Sequence, residues 1–138
     1  MELANAAASR SEDPYRRVGA CLMRADHTVA ALGFNGAPPG VEIDWTNRDE
    51  RRQWVLHAEA NALRYVTPGE VKMVVTTALP CALCMLLIAS YGIKEVYYRD
   101  EMVDASRAID PTIYDRALIL DIAAKSGITV TQEGQSRV

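Results

Sequence analysis

Apolar and polar positions change rhythm several times along this chain, and each rhythm predicts an element. An alanine-rich start predicts a small helix that stops near "SEDP", because Pro14 disfavours helix in the residue before it. Two β-rich runs follow, "RVGACLMR" and "TVAALGFN", separated by "ADH", which is a hairpin signal. "NGAPPG" is loop by composition, and 41–53 carries seven charges and Trp45, the pattern of an excursion over the surface. From His57 to Val66, "HAEANALRYV" has good helix formers and ends at the stop signal "TPG". "VKMVVTT" reads as a buried strand, and Pro80 then stands where it would open a helix running to Tyr91, with Gly92 as its C-terminal cap. "KEVYY" is another strand. Asp110-Pro111 predicts a helix start, with Ile113, Ala117, Leu120 and Ala124 at helical spacing, Gly127 as its end and "ITVT" as a last strand. A hairpin followed by alternating helix and strand predicts an α/β, three-layer α/β/α domain spanning residues 1–138, with a central mixed sheet of about five strands.

Composition narrows the function classes. A chain of 138 residues, about half of them apolar, can build one domain with a real core. The net charge of −3 argues against a grip on long nucleic acid, which needs a basic stripe. The cations are mostly arginine, whose planar fork suits a small phosphorylated ligand. The apolar stretch "VVTTALPCALCMLLIAS" is interrupted by Pro80, two threonines and two cysteines, so it reads as strand, turn and helix rather than a membrane span. "MELANAAAS" has an acid at Glu2 and no basic region, unlike a signal peptide. With three cysteines and no disulfide framework, the expected location is the cytoplasm, with thiols reduced.

The chemistry concentrates in "LPCALCML". Its C-x-x-C, Cys81 and Cys84, has no second copy, so the pair could exchange electrons, staple a fold or hold a reactive metal. Of the two histidines, His27 falls in the predicted hairpin turn, while His57 opens a helix with Glu59 two residues on. A redox reading leaves His57 and Glu59 without a role. A closed structural zinc needs a fourth protein ligand, and the remaining cysteine, Cys21, sits in a strand pattern suited to core packing. Imidazole and two thiolates make three ligands, so a tetrahedral Zn2+ would keep one open position for water, one catalytic ion per chain. Two thiolates cancel the metal's charge and acidify that water less than three histidines would. A separate base is then required, and Glu59 is placed to serve.

The order H-x-E, twenty residues, P-C-x-x-C is the signature of zinc deaminases acting on nucleobases. With "SEDPYRRVGAC", "GFNGAPPG", "HAEANAL" and "VVTTALPCALCMLLIASYGIKEVYY", the chain resembles the cytidine deaminase superfamily over nearly its whole length, and within it the deoxycytidylate deaminases. The resemblance implies that His57, Cys81 and Cys84 bind zinc and that Glu59 relays the proton. It further implies that the Ala58 N–H binds the base O2 and that the Leu79 carbonyl, beside Pro80, accepts from the 4-amino group. Asn35 would hydrogen-bond the sugar or base edge. Candidates for the phosphate or pocket wall are Ser11, Asp13, Arg16, Arg17, Arg48, Arg51, Arg52, Tyr97 and Tyr98. The implied reaction is dCMP to dUMP plus ammonia. Its rivals are deamination of dCTP, a 5-substituted dCMP, cytidine, cytosine or a purine-like base, and, from another class, a silent zinc-binding assembly module. The expected partners are a small-molecule nucleotide and copies of the chain, a homo-oligomer that the resemblance makes a hexamer, with no membrane. The chain departs from the family pattern at Glu12, where members often carry a basic residue. It also departs in the stretch before "HAE", which lacks the extra cysteines and histidines some members have.

Overall fold

The computed structural model describes residues 1–101 and 115–135. The elements run α1 (Glu2–Ala8), β1 (Gly19–Met23), β2 (Val29–Phe34), α2 (Arg48–Trp54), α3 (Ala58–Leu63), β3 (Met73–Ala78), α4 (Ala82–Ser90), β4 (Glu95–Asp100), α5 (Arg116–Lys125) and β5 (Thr129–Gln132). One five-stranded sheet has the order β2-β1-β3-β4-β5. β1 runs antiparallel to both β2 and β3, and β3, β4 and β5 are parallel, so the sheet is mixed as expected.

Alternation along the strands divides the core into two layers. Leu22, Val74, Val96 and Tyr98 face α3, α4 and α5, where Ala62, Leu63, Met85, Ile88 and Ile119 close the larger core. The opposite parity, Cys21 and Val75, packs under Ala4 of α1 with Met23, Met73 and Tyr97 around it. Helices on both faces complete the α/β/α arrangement. Cys21 is thus a core thiol, and burial pushes its proton affinity up, which keeps it inert.

The hairpin forms as expected, with His27 at φ 69° in its exposed turn and Asp26 accepting from the Thr28 N–H and hydroxyl. Three local expectations are corrected. The charged excursion contains a helix, α2, because Asn47 accepts from the Asp49 and Glu50 N–H groups and those acids complement its first turn. No α2 residue is buried, so the surface reading of this segment stands. Pro80 precedes the fourth helix rather than opening it: Cys81 is the N-cap, its Sγ accepting from the Cys84 N–H at 3.4 Å. α5 buries Ile119 and Ala123 instead of the face carrying Ala117, Leu120 and Ala124, since the branched side chain brings more apolar area to the sheet than Ala117 does. Its cap is Asp115, whose carboxylate accepts from the Leu118 N–H. The expected start at Asp110-Pro111, and Ile113, lie outside the described residues.

Candidate metal centre

Two helix starts meet at the C-terminal end of β3. His57 is the N-cap residue of α3 and Cys81 that of α4, both with extended backbone; the Cys81 side chain turns back to accept from the Cys84 N–H, while that of His57 makes no capping hydrogen bond. The His57 Nδ1 lies 3.4 Å from the Cys81 Sγ and 3.3 Å from the Cys84 Sγ, and the three ligand atoms lie within 4.8 Å of one another. Zinc–sulfur and zinc–nitrogen bonds of ordinary length at a tetrahedral angle place N and S about 3.5 Å apart. The donor set therefore fits one zinc ion in spacing and in chemistry.

Tertiary contacts, rather than helix propensity, bring His57 to this point. Gly36 and Leu56 exchange backbone hydrogen bonds at 3.0 and 2.9 Å, closing the base of the 36–56 loop just before His57. Asn61 of α3 donates to the Phe34 carbonyl at 2.8 Å, tying the helix to the end of β2. Between them, Gly33 lets the backbones touch: a Cβ there would lie 2.4 Å from the Ala58 carbonyl and 2.6 Å from the Ala62 nitrogen.

Protonation in the cluster follows from burial and mutual contact. The hydrogen bond with Cys84, assisted by His57, holds the Cys81 thiol down to about 4, while the same contact with Cys81 and burial push Cys84 well up. One thiolate is what the protein alone stabilises, and a divalent cation would allow the second. His57 is raised chiefly by its hydrogen bond with Cys81, with the Glu59 charge assisting. Glu59 is 3 % exposed, and burial raises its proton affinity although His57 opposes this. The pocket thus holds two soft donors, one imidazole and a carboxyl group that favours carrying a proton.

Ala58, Leu79 and Pro80, flanking the ligands, are all buried. Asn35 is 7 % exposed, and its side chain is engaged by protein: Oδ1 accepts from the Val18 N–H at 2.8 Å, and Nδ2 donates to the Arg16 carbonyl at 2.9 Å and to Asp13 at 3.3 Å. Ser11 donates to the Asn35 carbonyl, and Asp13 accepts from the Tyr15 and Arg16 N–H groups. Ser11, Asp13 and Asn35 therefore form one hub that shapes the 11–18 loop against the end of β2. Arg17, Arg48 and Arg52 are exposed. Tyr98 lies in the larger core and its hydroxyl donates to Glu101, which also accepts from Arg116.

Sequence reading did not single out Gly33 and Asn61, because neither carries chemistry; the close approach each permits exists only once β2 and α3 meet. Arg51 stacks on the Tyr15 ring at 4.1 Å, and its Nε is buried without a hydrogen-bond partner among the described residues. A cavity of about 350 Å³ between β2, the 36–45 loop and α3 is lined by Phe34, Trp45, Asn61 and Arg64 among others, and by none of His57, Glu59, Cys81 or Cys84.

Residues 1–100 match the family model described as the cytidine and deoxycytidylate deaminase zinc-binding region. The deoxycytidylate deaminase of Homo sapiens is 33 % identical over 111 residues, covering 73 % of this chain and 62 % of that protein. The chain therefore aligns with less than two thirds of the mammalian relatives' length. The deoxycytidylate deaminase of Mycobacterium phage D29 is 35 % identical over 118 residues, covering 73 % of this chain and 91 % of that one. The crystal structure of a dCMP deaminase from the cyanophage S-TIM5, in complex with dCMP and dUMP, superposes with a TM-score of 0.75 at 26 % identity, covering 95 % of this chain and 91 % of the other.

Proposed function

The chain belongs to the cytidine and deoxycytidylate deaminase family, and from that premise we propose that it hydrolyses dCMP to dUMP and ammonia. The observation that carries this reading is the convergence of His57, Cys81 and Cys84 on one point with the buried Glu59 carboxyl group against them. His57, Cys81 and Cys84 would hold a single zinc ion, which would supply Lewis-acid activation of the attacking water.

The remaining work falls to the chain itself. Glu59 takes a proton from the attacking water, delivers it to N3 of the base, and then assists departure of ammonia from C4. Burial raises the proton affinity of this carboxyl group, which favours its holding the transferred proton between the two steps. The Ala58 N–H holds the base O2. The Leu79 carbonyl accepts from the 4-amino group, with Pro80 holding the turn between that carbonyl and Cys81. Asn35, with Ser11 and Asp13, forms the wall beside the sugar. Arg16, Arg17 and Arg48 supply charge for the phosphate and Tyr98 backs the pocket. The unpartnered buried Nε of Arg51 supports an anion there as well.

The chain works as one domain over residues 1–138, on a small nucleotide, in the cytoplasm, within dUMP biosynthesis. No helix among the described residues is long and apolar enough to cross a membrane. It assembles with copies of itself, as a hexamer; the outward Leu83 and Leu86 of α4, 74 % and 52 % exposed, support burial against another subunit.

Purified protein is incubated with dCMP, CMP, dCTP, deoxycytidine, cytosine and 5-substituted dCMPs while ammonia release is followed. dCMP should be turned over fastest, and Glu59→Ala should release none above background. Release from none of the panel overturns the reading, and equal release by Glu59→Ala overturns the assignment of the base.

A further inference from the structure

Thr76 occupies the centre of β3, wholly buried, with Val74 and Val75 before it. A hydroxyl in such a strand needs a reason, because a valine would fill the same space without a polar group to satisfy. The hydroxyl makes three contacts, one of them accepting from the Ala78 N–H at 3.4 Å. Its Oγ1 lies 3.0 Å from the Ala78 carbonyl oxygen and 3.4 Å from the Glu59 Oε1. The Ala78 contact is the tighter one. The Glu59 contact is long for a hydroxyl–carboxylate hydrogen bond, within the range seen in sites that tighten when the reacting molecule arrives.

We infer that Thr76 is a positioning residue for Glu59, holding the carboxyl group over the reacting atoms and linking it to the turn that carries Leu79, Pro80 and Cys81. The inference rests on the assignment of Glu59 as the proton-moving group. Two features of the geometry support it. The hydroxyl has one proton and lone pairs to spare, so it serves either state of its neighbour. It donates to an ionised Glu59, or accepts from a protonated one while donating to the Ala78 carbonyl. No proton is gained or lost by Thr76 in that exchange. The second feature is that, among the described residues, Thr76 meets the Glu59 carboxyl from outside the His57, Cys81 and Cys84 cluster. Thr76 keeps its hydroxyl whether or not a metal is present, and it sits on a strand bonded to both neighbours, Ala20 opposite on one side and Tyr98 on the other. A rigid strand is a better anchor for a catalytic side chain than a loop.

The test compares Thr76→Val, which keeps shape and removes the hydroxyl, with Thr76→Ser, which keeps the hydroxyl. Thr76→Val should retain zinc and melting temperature, keep KM, and lose about tenfold in kcat, the range for a hydrogen bond to a charged group. Thr76→Ser should restore most of that loss, which a simple packing role would not predict. A crystal structure of each zinc-loaded variant provides a readout independent of turnover: one Glu59 conformer in the wild type and Thr76→Ser, several or a displaced one in Thr76→Val. Should Thr76→Val fail to fold, Thr76→Ala carries the same comparison. An unchanged kcat with an unmoved Glu59 overturns the inference, as does a loss that Thr76→Ser shares. A wild type inactive on every nucleotide of the panel would instead overturn the reading of function, and the Glu59 conformers would still decide this one.

Discussion

Glu59 and Asn35 show two ways in which a buried polar residue is held at this site. Glu59 is enclosed beside the His57, Cys81 and Cys84 cluster and Thr76, and that burial raises its proton affinity. Asn35 has its amide spent on the backbone of another loop, and its removal would strand the Val18 N–H and the Arg16 carbonyl. Asn35→Ala should therefore lower stability by about 2 kcal/mol, the scale for leaving buried partners unsatisfied, as read by urea unfolding. Zinc content should be unchanged, because no ligand rests on Asn35. A stability within error of the wild type would show that the hub is not closed in solution. The His57, Cys81 and Cys84 cluster was legible in the sequence because residue type and spacing identify candidate metal donors directly. The hub was not, because an asparagine before a glycine has the same appearance whether it bonds a ligand, a turn or a distant strand.

At the scale of elements, α3 carries Ala58 and Glu59 on fewer than two turns, and so short a helix owes its place to contacts rather than to propensity. The approach at Gly33 is the most demanding of these contacts. Gly33→Ala should cost about 1–3 kcal/mol through overpacking. Because the clash falls on the Ala58 carbonyl, between His57 and Glu59, it should also reduce turnover and zinc retention together. Gly36→Ala is the control: its nearest neighbour would be 3.9 Å away, and its effect should lie within about 0.5 kcal/mol. Thermal melts with metal analysis distinguish the two, and equal behaviour would remove Gly33 from the account. Element order was readable from periodicity and caps, as Gly92 and Gly127 at φ 76° and 70° illustrate. The buried face of α5 was not, since spacing alone allows several stripes and the sheet selects the one with more apolar area. Helix α2 escaped because its charges read as surface, although Asn47 followed by two acids was the signal for it.

At the scale of the whole molecule, metal and assembly should both appear in stability. A folded chain that presents three preorganised donors is stabilised by anything that binds them, by about 4 kcal/mol when free ligand exceeds Kd a thousandfold. Chelation should lower the melting temperature, and zinc added back should restore it; a melt indifferent to chelator would argue against a bound ion. Light scattering after gel filtration should give a multiple of 15.2 kDa, six copies for a hexamer, whereas a monomer mass would overturn the proposed assembly. By itself the sequence determined the α/β class, the order of the strands along the chain and the candidate donors His57, Cys81 and Cys84 with Glu59 beside them, because these depend on residue type and short-range spacing. Only the tertiary structure decided that β1 lies between β2 and β3, that Gly33 brings α3 onto the sheet, and that Thr76 faces Glu59. Those relations join residues far apart in the chain, and they exist only when two surfaces bury each other.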